Sequence, residues 1–143
     1  MQDILGRIAA DRSLKKLHQY LEIAGLADTL KGAGPFTLFA PNDAAFARTN
    51  VEERLDGTEG LRSTLRYHLV HGRYGGGELS ALKATALRTE NGKSLTLVED
   101  EGEVMVDNAR LVQRDIECSN GLVHVIDNVF LPQLSGWYGD EYG

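Results

Sequence analysis

The sequence predicts an α+β domain with a helical N-terminal half and a C-terminal half of short, mostly antiparallel strands. The first half carries leucines at helical spacing, for example Leu14, Leu17 and Leu21. The second half takes on strand periodicity, and Asn-Gly pairs at 91–92 and 120–121 separate its apolar runs. Such a pair between apolar runs is the strongest short signal for a hairpin. Helices followed by an antiparallel meander define the α+β class.

The helices are predicted from apolar stripes and their end signals. A first stripe lies within 4–9, and a second lies within 14–24, where Asp11 or Ser13 serves as the N-cap. A third stripe covers 61–69. We therefore expect three amphipathic helices in the N-terminal half.

One strand is predicted early in the chain and the others follow the glycine run at 75–77. The early strand covers 36–40, Pro41 stops it, and Asn42 caps the short helix that follows. Asn120-Gly121 is the predicted turn of the last hairpin. The later strands are predicted at 84–89, 95–98, 104–106, 111–112, 115–119 and 122–126.

Length and composition indicate one globular domain. We expect it to span residues 1–134, with a flexible tail over 135–143 that is rich in Gly, Tyr and acidic residues. The formal net charge of −6 argues against nucleic acid as the main partner, which requires a basic face. The sequence has no apolar run long enough for a membrane helix and no signal-peptide pattern at its start. Cys118 is the only cysteine, so stability comes from packing and not from disulfides.

Three segments carry a family resemblance. TLFAPNDAAF (37–46) resembles the first signature segment of fasciclin (FAS1) domains, and NGLVHVIDNVFLP (120–132) resembles the second. Between them, LRYHLV (65–70) is similar to the Tyr-His motif of that family. The resemblance covers about residues 1–132, and two long segments in the right order form a specific signal.

The resemblance implies a FAS1-type β-sandwich or wedge capped by helices. It also implies a monomeric, non-enzymatic cell-adhesion module that binds a protein or glycan and needs no cofactor. The expected partner is a protein or polysaccharide on a cell surface or matrix, with no nucleic acid and no membrane insertion. The expected location is extracytoplasmic, which includes secreted, periplasmic and cell-surface proteins.

Tyr67 and His68 are the first candidate for partner binding. The resemblance to adhesion members implies an integrin-facing motif, with Leu65, Leu69 and Val70 as its apolar flanks. The alternative is a pair at a helix end that is buried with satisfied hydrogen bonds, because Tyr and His need polar partners when buried. This alternative is the more frequent situation for such a pair.

Asp115 and Ile116 are the second candidate. They match the Asp-Ile core of short integrin-recognition motifs in related domains, although the flanking residues match only in part. In the alternative interpretation Asp115 turns the chain and Ile116 enters the core. The structural interpretation is again the more frequent one.

Two other classes of function compete with adhesion. One is a small-molecule or lipid-binding protein that uses an apolar groove between helices and sheet. The other is an enzyme built on Cys118 and His124, which would require an exposed thiol beside the imidazole. No catalytic set, metal site or cofactor site is predicted, since the acidic stretch 99–103 lacks the ligand spacing of a calcium loop. His18, His68, His71 and His124 likewise lack metal-ligand spacing.

Overall fold

The computed structural model describes residues 2–49, 57–81, 86–100, 103–107 and 109–130. The expected flexible tail at 135–143 lies outside these residues. The described part contains five α-helices, two single 3₁₀ turns and seven strands.

Aspartate side chains cap the first two helical segments. Asp3 Oδ1 accepts a hydrogen bond from Gly6 N–H at 2.7 Å, and Asp11 Oδ1 accepts one from Ser13 N–H at 2.8 Å. Asp11 is therefore the cap of the second helical segment. The helices are α1 (Ile4–Ala9), α2 (Lys15–Ile23), α3 (Asp43–Thr49), α4 (Gly57–Arg66) and α5 (Gly76–Ala81), with 3₁₀ turns at Arg12–Leu14 and Thr29–Lys31.

The strands form one curved sheet in the order β2-β1-β7-β6-β5-β4-β3. The pair β1–β7 is parallel and the other five neighbouring pairs are antiparallel, which confirms the predicted α+β class with mostly antiparallel strands. The strands are β1 (Phe36–Pro41), β2 (Leu69–His71), β3 (Ala86–Arg88), β4 (Ser94–Asp100), β5 (Glu103–Val106), β6 (Ala109–Cys118) and β7 (Gly121–Ile126).

Two predicted boundaries were wrong. The third helix ends at Arg66, so Leu69 lies in β2 and pairs with Leu38 of β1. The segments 111–112 and 115–119 belong to one strand, β6, which is interrupted by register shifts. Leu69 continues the helical spacing of the leucines, which extended the predicted helix too far. The bulges in β6 interrupt its alternation, which divided the predicted strand in two.

The last hairpin turn was also misplaced by one residue. Cys118 pairs with Gly121, so Ser119 and Asn120 form the turn and Gly121 is the first residue of β7. Gly121 is required there because a Cβ at this position would lie 1.9 Å from the carbonyl oxygen of Phe36. The glycine of this Asn-Gly pair therefore serves a close strand contact and not the turn itself.

Two buried clusters lie on opposite faces of the central strands. Leu38, Ala40 and Val123 face the first cluster, which packs the sheet against α1 and α2. Phe39 and Ile126 face the second cluster, together with apolar side chains of β4 and β5. All residues of β1 and β7 are buried, as expected for strands covered on both faces.

Asn120 connects the helical layer to the sheet. Its Oδ1 accepts from the backbone N–H of Ile4 at 2.9 Å, and its Nδ2 donates to the carbonyls of Leu30 and Gly32 at 2.7 and 2.9 Å. These buried backbone groups would otherwise lose their hydrogen bonds. Asn42 has a simpler role, since its Oδ1 caps α3 through Ala45 N–H at 2.9 Å, as predicted.

Candidate functional site

Tyr67 is completely buried immediately after α4. Its hydroxyl donates toward Oδ2 of Asp107 at 2.8 Å and lies 3.1 Å from the carbonyl oxygen of Ser94. Its ring meets that of Phe130 edge-on, with centroids 6.0 Å apart. Tyr67 thus connects the end of α4 to the β4–β5 part of the sheet.

His68 is also completely buried and uses both ring nitrogens. Nδ1–H donates to the carbonyl oxygen of Thr64 at 2.7 Å, and Nε2 accepts from the N–H of Phe130 at 3.0 Å. The imidazole stacks on the Phe130 ring at a centroid distance of 4.6 Å. Burial lowers the pKa of His68 to about 4, against the opposing effect of the bond to Thr64. The ring is therefore neutral at physiological pH.

The apolar flanks of this pair are buried as well. Leu65 and Leu69 belong to the first core cluster, and Val70 belongs to the second. The Tyr-His pair and its three predicted apolar flanks therefore have no side chain at the surface in this structure. Their hydrogen bonds and ring contacts favour the structural interpretation of the pair.

Asp115 is exposed and lies at an irregularity in β6. Its φ of 58° is in the left-handed region, and its Oδ1 accepts from Gly76 N–H, the first residue of α5, at 2.8 Å. A Cβ on Gly75 would lie 2.8 Å from this same oxygen. Asp115 therefore fixes the start of α5 against β6. Ile116 is half-buried and packs against the first core cluster.

His124 faces Asp115 and not Cys118. Its Nε2–H donates to the carbonyl oxygen of Tyr74 at 2.7 Å, which leaves Nδ1 to accept from the N–H of Asp115 at 3.2 Å. Burial is the main cause that lowers the pKa of His124. The ring therefore holds the irregular part of β6 in place in its neutral form.

Cys118 lacks the surroundings of a catalytic thiol. It is 3% exposed, and burial raises the pKa of its thiol. A reactive cysteine needs an accessible site and a lowered pKa. Within the described ranges no group of three or more His, Cys, Asp or Glu side chains is placed to hold a metal ion. No helix of the described residues has the length and apolar character needed to cross a membrane.

An apolar patch that was not predicted from the sequence lies on the outer face of β4, β5 and β6. We define this outer-face patch as Val98, Met105 and Val112. Val98 pairs with Met105 across the β4–β5 ladder, and Met105 pairs with Arg110, two residues before Val112 on the same face of β6. Val98 is 48% exposed and Val112 is 59% exposed, against a background in which large apolar side chains are mostly buried.

Charged side chains border this patch. Arg110 Nη1 forms an ion pair with Glu103 Oε2 at 2.8 Å. Where β5 separates from β6, a depression of about 190 Å³ is lined by Glu103, Val104, Leu111, Val112 and Arg114. Apolar side chains, a charged border and an adjacent depression are the features of a small protein-binding surface.

Comparison with known proteins identifies the family. The fasciclin domain model matches residues 12–132. The chain is 34% identical to the uncharacterized protein sll1735 of Synechocystis sp. over 134 residues, which is 92% of this chain and 98% of that protein. It is 32% identical to the cell surface glycolipoprotein MPB83 of Mycobacterium bovis over 110 residues, which is 75% of this chain and 48% of that protein.

A solved structure has the same fold. It is a FAS1 domain pair from the insect cell adhesion molecule Fasciclin I, which superimposes with a TM-score of 0.78 at 22% identity. The match covers 93% of this chain and 52% of that one. The chain therefore belongs to the fasciclin domain family, whose domains generally serve in adhesion proteins and not as enzymes.

Proposed function

We propose that this protein is a non-enzymatic adhesion module that binds a protein ligand through the outer-face patch. The observation that carries the proposal is the exposure of Val98 and Val112 on one face of the sheet. The ion pair Glu103–Arg110 joins the neighbouring strands β5 and β6. A protein partner fits this surface better than a polysaccharide, because protein interfaces combine an apolar centre with a polar rim.

The proposal assigns different roles to the two candidate motifs. Asp115 is exposed on the same strand as Val112, and its second carboxylate oxygen can accept a further hydrogen bond. Tyr67 and His68 contribute indirectly, since they fix β2 and α4 from inside the core. We therefore expect direct partner contacts from the outer-face patch and from Asp115.

Location and assembly follow from the same proposal. The relative MPB83 is a cell-surface glycolipoprotein, and the solved FAS1 pair comes from a cell adhesion molecule. By analogy we place this module outside the cytoplasm, acting as a monomer on a cell-surface or matrix partner. The buried Cys118 supports the non-enzymatic part of the proposal.

Binding measurements with matched variants test the proposal. The purified chain is applied to immobilised collagen and fibronectin and to an array of cell-surface polysaccharides. Val98→Gln and Val112→Gln should each weaken protein binding by at least about tenfold, the loss expected from a residue at the centre of an interface. Ile23→Gln is the control, because Ile23 on α2 is 59% exposed but lies outside the patch.

Three outcomes would contradict the proposal. One is that none of the probes is bound, and another is that Ile23→Gln weakens binding as much as Val112→Gln. The third is binding to polysaccharides alone, which would replace the protein ligand by a glycan. Each variant must unfold at the same temperature as the parent, so that loss of binding is not loss of folding.

A further inference from the structure

The two edge strands of the sheet come together along a seam. β2 and β3 are the first and last strands in the sheet order, and Glu90 lies two residues beyond the end of β3. Glu90 N–H donates to the carbonyl oxygen of Leu69 at 2.8 Å. The guanidinium of Arg66 donates to the carbonyl oxygen of Glu90 at 3.0 Å. One end of the seam is therefore closed by hydrogen bonds.

The other end of the seam opens into a cavity of about 380 Å³. We call it the seam cavity; its lining residues are Val70, His71, Tyr74, Leu87, Arg88, Thr89 and Glu90. Its volume lies within the range of about 300 to 1,000 Å³ that is usual for small-molecule sites. It is separate from the outer-face patch, with which it shares no residue, and it lies between strands and not between helices and sheet.

The lining combines an apolar floor with an aromatic wall. Val70 and Leu87 are buried members of the second core cluster, and the half-buried ring of Tyr74 packs against that cluster. A flat apolar or aromatic group fits beside such surfaces, because rings prefer offset or edge-on contact with other rings.

The charges of the lining point to an anionic ligand. The Nε2 atom of His71 contacts the carboxylate of Glu90, so this carboxylate already has a partner. The hydroxyl of Thr89 is engaged with Lys93 O at 2.7 Å. Arg88 is exposed and has no hydrogen-bond or ion-pair partner in the described part of the chain. Its planar guanidinium is suited to bidentate binding of a carboxylate.

We propose that the seam cavity binds a small aromatic carboxylate. The carboxylate pairs with Arg88, and the ring lies between the Val70–Leu87 floor and Tyr74. A hydroxyl on the ring finds both a donor and an acceptor in the His71–Glu90 pair. The hydrogen bond between Glu90 and Leu69 closes the seam, which favours a compact ligand over an extended peptide. The proposal is independent of the adhesion function.

Nuclear magnetic resonance titration of the full chain tests this site. The probe is 4-hydroxyphenylacetate, with the neutral 4-hydroxyphenylacetamide as its matched partner. The acid should produce saturable shifts of the Val70 and Leu87 methyl resonances, and the amide should bind at least about tenfold more weakly because it loses the charged pair with Arg88.

Two arginine variants separate the site from general charge effects. Arg88→Gln should remove the preference for the acid over the amide. Arg114→Gln is the control, since Arg114 is exposed on β6 but does not line the seam cavity, and it should leave the preference unchanged. Both positions are at the surface, and equal melting temperatures would verify that the variants fold.

Several results would overturn the proposal. These are the absence of saturable binding, equal affinity for acid and amide, shifts that map away from Val70 and Leu87, or an unchanged preference in Arg88→Gln. Glucuronate provides a last comparison, since it carries the carboxylate without an aromatic ring. Binding of glucuronate as tight as that of the aromatic acid would show that the apolar floor makes no contribution and would also overturn the assignment.

Discussion

The Tyr-His pair shows how a family motif can serve packing. His68 accepts and donates through opposite sides of its ring, toward Phe130 N–H and Thr64 C=O. Tyr67 directs its hydroxyl to Asp107 at 2.8 Å. Replacement of His68 would remove the acceptor of the buried Phe130 N–H, and replacement of Tyr67 would remove the hydroxyl bond to Asp107. If variants of this pair lose binding, we therefore expect the cause to be loss of folding.

One buried side chain near this pair is imperfectly satisfied, and it yields a stability prediction. The hydroxyl of Thr64 on α4 is buried and has no hydrogen-bond partner among the described residues. Thr64→Val replaces the hydroxyl by a methyl of similar size. We expect the free energy of unfolding to rise by about 1 kcal/mol, because an unsatisfied buried polar group is removed.

Urea unfolding followed by circular dichroism measures this change, and Thr64→Ser is the matched control. Serine keeps the hydroxyl and deletes the methyl, so it should lower the free energy of unfolding by about 1 kcal/mol. A destabilised Thr64→Val protein would mean that the hydroxyl has a stabilising partner, such as an ordered water.

At the scale of elements, the contact between the β6–β7 hairpin and β1 leaves no room for a side chain at position 121. Gly121 has a φ of 155°, and a Cβ there would lie 1.9 Å from Phe36 O. Gly121→Ala should lower the free energy of unfolding by about 3 kcal/mol or more, since both the backbone conformation and the steric overlap oppose it.

Gly92 in the β3–β4 turn is the matched control for this prediction. Its φ is 91°, but nothing lies within 4 Å of a Cβ at that position. Gly92→Ala should therefore cost only the backbone term, about 1 kcal/mol, in the same urea titration. Equal losses for the two variants would show that the close approach to Phe36 is not a determinant of stability.

The elements that the sequence predicted well are those with local signals. Asn42 follows the strand-stopping Pro41 and caps α3, as its residue type indicated. The strand β2 was missed because its first residue, Leu69, continues the leucine stripe of α4. Pairing with β1, more than thirty residues away in the chain, decides the conformation of β2, and no local pattern encodes such a partner.

The candidate sites were harder to predict than the elements for a related reason. Alternation along β4 and β6 gives two faces, but it does not tell which face the rest of the protein covers. The sequence placed Val98 and Val112 in predicted strands without indicating that both side chains are exposed. The seam cavity depends on the curvature of the whole sheet, which brings Val70 and Leu87 together.

At the scale of the whole molecule, two neutral histidines support the core around Phe39 and Phe130. His68 stacks on Phe130, and His124 stacks on Phe39 at a centroid distance of 5.6 Å. Burial lowers the pKa of both rings, that of His68 to about 4. Below the ordinary histidine pKa of about 6.5, these two histidines bind protons in the unfolded chain before they do so in the folded protein.

This difference predicts acid sensitivity with a defined sign. Because the pKa of His68 is depressed in the folded state, its contribution is complete above about pH 6.5 and is lost as the pH falls toward 4. In this window His68 should lower the free energy of unfolding by up to about 1.4 kcal/mol per pH unit. His124 should act in the same direction, since burial lowers its pKa as well. Urea titrations at pH 7, 6 and 5 measure the slope, and His68→Gln should reduce it while lowering stability at pH 7.

A direct readout is the imidazole resonance of His68, which should not titrate until the pH approaches 4. Titration near 6.5 in the folded protein, or an unchanged slope in His68→Gln, would contradict a neutral His68 as the source of the acid sensitivity.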